Sequence, residues 1–228
     1  MSLAPRALPR PDGLIFDLDG TLVDTVWARI DGWVEALVAA GILATPELVA
    51  PRIGMDGKRL AGEMAGLGGR TLSEVELEAI DKAAGAGFDR RNVAPRRLPG
   101  VSEVFAALDA RGLPWVIATS SRREQVTVSV AALRLAHEPV IVDGSHVKHA
   151  KPAPDVLLLA ASRLGVAPGR CWAVGDATWD IRAAVAASMP AVGVTAGSAV
   201  SEGELLAAGA SLVIPTLLEL SAALEEAR

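Results

Sequence analysis

Six short apolar runs, spread along a chain of 228 residues, constrain its fold more than any other feature. They cover residues 14–16, 115–118, 140–142, 171–174, 191–194 and 212–214, and each reads as a strand. Amphipathic helical patterns lie between the later ones. Val101, Val104, Phe105 and Leu108 recur at helical spacing and stop before Arg111-Gly112, a helix C-terminus signal. Residues 155–164 form a second pattern, punctuated at its start by Pro152 and Pro154. Strands alternating with helices predict an α/β fold, a parallel Rossmann-like sheet with helices on both faces.

Residues 25–97 break this rhythm, and no strand is evident there. Ile30, Trp33, Val34 and Leu37 form one helical stripe; Val75, Leu77 and Ile80 form another. The second is opened by Thr71-Leu72-Ser73-Glu74, which has the form of a capping box. Alternation resumes at Leu98-Pro99-Gly100. The expected division is a catalytic core of residues 1–24 and 98–228, with residues 25–97 inserted as an all-helical cap. Such a cap would hinge at Thr25 and near Arg97-Leu98, exclude water and select substrates.

About half of the residues are apolar, ample for a sizeable core. Net charge is -5 and no basic stretch gives a nucleic-acid footprint, so no nucleic-acid partner is expected. No run reaches the length of a membrane span, and none is expected to bind a membrane. Residues 1–12 are rich in proline and arginine and lack the apolar centre of a signal peptide. They read as a mobile lead-in, and Met1-Ser2-Leu3 is compatible with a cloning remnant. The single cysteine, Cys171, excludes an intramolecular disulfide and reads as a buried core thiol. A soluble, cytoplasmic protein is expected.

Chemistry collects where the apolar runs stop. The first ends in Asp17-Leu18-Asp19-Gly20, two carboxylates one residue apart. Such acids repel each other unless a cation or a shared proton relieves them. The second run ends in Thr119-Ser120-Ser121, and a later loop carries Lys151 ahead of Pro152 and Pro154. The run over residues 171–174 ends in Gly175-Asp176, with Asp180 close behind. Taken singly, Thr-Ser-Ser is a solvated turn and a lysine is a surface charge. In a parallel sheet, however, these ends can converge in one crevice. A hard, oxygen-seeking cation such as magnesium fits the carboxylates. Lysine, hydroxyls and backbone amides suit a phosphoryl group. No P-loop sequence is present.

Asp17-Leu18-Asp19-Gly20-Thr21-Leu22, Thr119-Ser120, Lys151-Pro152 and Gly175-Asp176 with Asp180 resemble the four ordered motifs of the haloacid dehalogenase (HAD) superfamily. Within it the chain resembles the phosphoglycolate phosphatase and β-phosphoglucomutase branch, which carries a helical cap. The resemblance implies a magnesium-dependent phosphatase acting on a small phosphorylated metabolite. It implies Asp17 as the nucleophile, with Asp19 as general acid and then base. It implies phosphate binding by Thr119, Ser120 and Lys151. It implies Mg2+ held by Asp17, the Asp19 main-chain carbonyl and Asp176, with Asp180 as an outer acid. Dehalogenases lack the second aspartate, so Asp19 argues against that chemistry. The mutases carry a cap arginine after a Gly-x-Ser turn, where this chain reads Gly54-Met55-Asp56-Gly57, and a histidine where this chain has Arg29. A sugar phosphomutase therefore stands as the alternative, and a non-catalytic phosphate-ligand binder as a third reading.

The cap loop 52–59 is the expected specificity region. Gly54 permits close backbone approach, and Arg52, Lys58 and Arg59 are suited to an anionic substrate tail. Trp27, Trp33 and Trp179 fit either the cap–core cleft or core packing. His137, His146 and His149 show no metal spacing and read as surface loop residues.

Overall fold

Strands form where the apolar runs lie. The computed structural model describes residues 8–121 and 123–227. In chain order the strands are β1 Gly13–Phe16, β2 Val23–Asp24, β3 Arg96–Arg97, β4 Trp115–Ala118, β5 Ile141–Val142, β6 Cys171–Gly175, β7 Ala191–Val194 and β8 Leu212–Ile214. Six of them make one parallel sheet in the order β5-β4-β1-β6-β7-β8. The chain steps outward from β1 to β4 and β5, then crosses back to β6 on the other side of β1 and steps outward again, a reversal of strand order that opens a crevice beyond the carboxyl ends of the strands. Register aligns those ends. Phe16 lies opposite Ile117 of β4 and Val174 of β6, so residues just past each strand meet along one edge.

The helices are α1 Val26–Ala39, α2 Pro46–Val49, α3 Gly57–Leu67, α4 Glu74–Arg91, α5 Val101–Arg111, α6 Arg123–Leu133, α7 Asp155–Leu164, α8 Thr178–Ala186, α9 Glu202–Ala208 and α10 Leu220–Glu226. The sheet is sandwiched, as strand alternation requires. Leu14, Phe16, Ile117, Trp172 and Val174 face one way, onto Phe105 and Leu108 of α5 and Leu220 of α10. Ile15, Val116, Ala118 and Ala173 face the other way, onto Val156 and Ala160 of α7 and Ile181 of α8. Cys171 is fully buried on that second face, where loss of solvation pushes its thiol up to about 11. The helical patterns over 101–111 and 155–164 are present as read.

Between β2 and β3 the chain is helical. Helices α1, α3 and α4 gather a separate apolar cluster around Ile30, Trp33, Leu37, Leu60, Met64 and Ile80. Ala177, from the β6–α8 connection, and Trp179, from the first turn of α8, join that same cluster.

Four local expectations need correction. A strand does occur at the edge of the 25–97 segment. β2 and β3 pair antiparallel, Val23 with Arg97 and Asp24 with Arg96, so the two crossings run side by side. The α4 capping box is Ser73 with Glu76, two residues later than the sequence suggested. Val75 consequently falls outside the buried stripe and is 79% exposed. The lead-in is tied down from residue 8 onward, because Asp12 pairs with Arg170 through two 2.8 Å contacts and Trp172 Nε1 donates to Pro9 O at 2.9 Å. Met1-Ser2-Leu3 lies outside the described residues.

Candidate active site

Each strand end delivers one part of the site. Asp17 follows β1, Thr119-Ser120-Ser121 follows β4, and Asp176 follows β6, with Asp180 in the first turn of α8. Lys151 sits in the loop before α7 and is 2% exposed. Its ammonium has three donors and meets three acceptors: Asp17 Oδ1 at 2.6 Å, Asp180 Oδ1 at 2.7 Å and Ala118 O at 3.0 Å. The chain thus spends a buried lysine wholly on fixing two carboxylates and one strand end.

Oxygens of Asp17, Asp176 and Asp180 lie within 4.8 Å of one another. Burial pushes Asp17 up to about 7; Asp180 and Asp19 add to that rise, and Lys151 opposes it. Asp176 is likewise raised well above the ordinary range, by burial first and then by repulsion from Asp180 and Asp17. Burial lowers Lys151, but the two carboxylates outweigh it and hold the ammonium above its ordinary value. Three buried acids against one lysine leave a deficit of positive charge. Hard carboxylate oxygens with that deficit suit a divalent cation. Asp180, expected as an outer acid, stands within this carboxylate group.

Two neighbours shape Asp176. Thr21 Oγ1 donates to Asp176 Oδ1 at 2.8 Å, and Ser198 Oγ donates to its main-chain oxygen at 2.7 Å. Gly20 leaves the room. At φ +89° it adopts a left-handed turn, and a Cβ there would fall 2.3 Å from Asp176 Oδ2.

Asp19 is held differently. Thr25 Oγ1 donates to its Oδ1 at 2.7 Å, while Ser121 Oγ and an Arg29 nitrogen donate to its Oδ2 at 2.6 and 2.9 Å. Burial raises this carboxyl, but the Arg29 guanidinium and the two hydroxyls together bring it below the usual range. The Asp19 carboxylate therefore turns toward α1 and away from the carboxylate trio.

A cavity of about 510 Å3 opens over these groups. Asp17, Asp19, Thr119, Ser120, Asp176 and Asp180 line its floor, and Gly54, Trp33 and α4 residues line its other walls. Thr119 is 1% exposed and its Oγ1 accepts from Ser121 N at 3.1 Å. Ser120 Oγ reaches Gly54 O at 3.4 Å, and Trp179 Nε1 donates to Pro51 O at 3.0 Å, so the 50–57 loop rests on the strand ends.

Of the expected cap residues, Gly54 alone lines the cavity; Arg52, Lys58 and Arg59 do not. Arg52 donates to Leu48 O at 2.7 Å and faces Glu63 at 3.5 Å. Lys58 pairs with Glu74 and Glu78 at 2.6 and 2.7 Å, and Arg59 pairs with Glu63 at 2.9 Å. Trp33 lines the cavity, Trp179 packs in the helical cluster, and Trp27 is 58% exposed. His146 Nδ1 accepts from Asp143 N, and His149 contacts Asp155; neither belongs to the carboxylate group.

Sequence reasoning did not assign Arg29, Ser121, Thr21 or Ser198 to the site. Arg29 left a signal. It falls between Val26 and Trp33 on the buried stripe of α1, and a cation on such a stripe needs a buried acid. Its guanidinium also stacks on Phe88, 3.8 Å from the ring centroid.

Comparison with known proteins gives a consistent set. The family description haloacid dehalogenase-like hydrolase matches residues 11–188. The fructose-1-phosphate phosphatase YqaB of Escherichia coli strain K12 is 35% identical over 183 residues, covering 80% of this chain and 95% of that protein. A phosphoglycolate phosphatase of Shigella dysenteriae serotype 1 is 34% identical over 210 residues, covering 81% of each. The crystal structure of a hydrolase from Pseudomonas syringae has a TM-score of 0.89 at 33% identity, covering 95% of this chain and 99% of that one.

Proposed function

The chain belongs to the haloacid dehalogenase-like hydrolase family, and we propose that it hydrolyses a small organic phosphate monoester through an aspartyl-phosphate on Asp17. The observation that carries this reading is the buried Lys151 bridge between Asp17 and Asp180, set under the cavity and beside Asp176. It holds one carboxylate oxygen of Asp17 still and leaves the other for attack. Phosphatase relatives that this chain covers over most of their length support the same chemistry.

In this reading Asp19, ionised in the free site, takes up a proton from the ester monoanion as it binds; an Asp17 oxygen attacks phosphorus as the ester P–O bond breaks, and Asp19 gives that proton to the departing oxygen. Water then attacks phosphorus from the vacated side. The bond to Asp17 breaks, Asp19 takes the water proton, and phosphate leaves. Thr119 and the Ser120 amide serve the phosphoryl oxygens, and Lys151, its donors taken by Asp17, Asp180 and Ala118 O, steadies the nucleophile from beneath the cavity. Asp17 and Asp176, with the Asp19 main-chain carbonyl, are the proposed holders of Mg2+, and Asp180 stands against them. When bound, magnesium supplies the positive charge that the carboxylates and the phosphoryl group require. Residues 25–97 act as a cap on a core of residues 1–24 and 98–228.

Release of phosphate from p-nitrophenyl phosphate tests the reading. Wild-type protein with magnesium is expected to turn over, and a chelator is expected to stop it. Asp17→Asn is expected to fold and to lose turnover by at least about a thousandfold. Full activity in that variant would assign the chemistry elsewhere.

A further inference from the structure

Residues 195–201 join β7 to α9 and lie outside the cavity lining, yet they meet the site from behind. Ser198 Oγ donates to Asp176 O at 2.7 Å, and Asp180 Oδ2 accepts from Ala177 N at 2.9 Å. That oxygen and that N–H belong to one peptide unit, the one that joins Asp176 to Ala177. The unit is planar, so a grip at both ends fixes its plane, and with it the direction in which the backbone presents the Asp176 side chain. Thr21 Oγ1 holds the far end of the same residue, 2.8 Å from Oδ1. Asp176 is thus fixed at main chain and side chain together.

The grip has work to do. Burial and then repulsion from Asp180 and Asp17 disfavour the Asp176 charge. A carboxylate free to turn would swing away from its neighbours in the absence of a cation, and binding would have to bring it back. A fixed carboxylate meets the cation already in place. Ser198 is itself held. Val200 N donates to its Oγ at 3.0 Å, and Ser198 N donates to Thr195 O at 3.2 Å. Val200 O lies 3.0 Å from the same hydroxyl, which has one proton to give, and Asp176 O is the nearer acceptor. Gly197 lets the loop close on the core, since a Cβ there would fall 2.3 Å from Gly20 O.

Building on the reading that Asp176 holds Mg2+, we infer that Ser198 is a positioning residue of the metal centre. Its hydroxyl sets the affinity for Mg2+ by fixing the peptide that carries Asp176. The β7–α9 loop thereby belongs to the site, although it stands behind the strand ends and not in the cavity.

Calorimetric titration of chelator-stripped protein with Mg2+ alone, at pH 8, reads this affinity without turnover. Ser198→Ala is expected to weaken Mg2+ binding by about fivefold, within the range that one lost hydrogen bond spans. Ser198→Thr keeps the hydroxyl and is expected to restore binding. Ser198→Cys keeps the shape with a weaker donor and is expected to fall between. Ser201→Ala is the control for the loop and for α9. Ser201 Oγ accepts from Glu204 N and caps that helix, so its loss is expected to lower Tm and to leave Mg2+ affinity alone. In turnover of p-nitrophenyl phosphate, Ser198→Ala is expected to raise the magnesium concentration for half-maximal rate by the same factor, with a smaller effect on the rate at saturating magnesium. Unchanged Mg2+ affinity in Ser198→Ala would overturn the inference and leave the phosphatase reading standing. Equal weakening in Ser198→Thr or in Ser201→Ala would also overturn it, because the effect would then belong to loop packing and not to the hydroxyl. Wild-type protein that binds no Mg2+ would sink the metal assignment and this inference together. Wild-type protein that binds Mg2+ but hydrolyses no ester, with the order of the variants intact, would sink the phosphatase reading alone.

Discussion

Lys151 shows how one side chain couples stability to chemistry. It is fully buried between Asp17 and Asp180, so removing its charge leaves two acids facing each other without compensation. Lys151→Met is expected to lower stability by about 3 kcal/mol or more in metal-free protein at pH 8. A smaller loss is expected at pH 5, where protonation relieves the acids, and denaturant unfolding at the two pH values measures the difference. The intact site has its own pH signature. Folded Asp17 holds its proton up to about 7, whereas the unfolded chain releases it near the ordinary value of 3.8. Between those values the unfolded chain binds fewer protons, so stability falls as pH rises and the penalty is complete above about 7. Asp176 acts in the same direction; Asp19, held low, acts oppositely, and only at more acid pH. Chelated protein is therefore expected to lose Tm as pH rises from about 5 to about 7, and magnesium to restore it most at the upper end. A flat or rising Tm across that window in chelated protein would contradict the assignment. At this scale Asp17, Asp19, Thr119 and Asp176 were legible because each ends or follows an apolar run, and Lys151 because prolines follow it in its loop. Ser121 and Arg29 were not, because their bond to each other joins residues 92 apart in the chain.

Elements decide which contacts are possible. The six strands were legible because both faces of the sheet are covered, so their sequences are apolar throughout. The helices of the core were legible from their stripes. The paired β2 and β3 were not, since two-residue strands with exposed Arg96 and Arg97 leave no periodicity to read. The capping box was misread because Thr71 and Ser73 each have glutamate three residues on, and side-chain geometry alone selects Ser73 with Glu76. Helix α1 is the element that ties the 25–97 segment to Asp19. Through Arg29 it holds the Asp19 carboxylate ionised and aimed, while Thr25 just ahead of it fixes the second oxygen. Arg29→Ala is expected to lower kcat by about tenfold or more, because Asp19 loses its orientation. The acidic limb of the kcat profile is expected to move to higher pH, because the carboxyl returns toward its ordinary value. Arg29→Lys is expected to recover part of both effects. A loss of stability with an unmoved pH limb would reduce Arg29 to a packing residue.

At the scale of the molecule, three apolar clusters organise the chain. Two lie on the faces of the sheet, and the third lies among α1, α3 and α4, with Trp179 as its principal anchor on the strand-end side. The inserted helices therefore have a core of their own, and the hydrogen bonds that join them to the rest of the described chain include Arg29 on Asp19 and Ser121, Ser120 on Gly54, Trp179 on Pro51 and Asn92 on Ser129. A unit with its own core can move as a body about its crossings, and here β2 and β3 bring those crossings together. Two of these contacts end on Asp19 and Ser120, proposed to transfer protons and to bind phosphate, so occupancy of the phosphate site and seating of the cap should depend on each other. A tetrafluoroberyllate adduct on Asp17 is expected to slow amide hydrogen exchange in residues 50–57 and near Trp179, with little change in the α5 and α10 face of the sheet. Trp179→Ala is expected to speed exchange in 50–57 before any ligand is added, since it removes both the Pro51 hydrogen bond and an anchor of the third cluster. Unchanged exchange in 50–57 on forming the adduct would mean that the helical segment is a fixed wall of the cavity, and selectivity would then rest on its shape and charge alone.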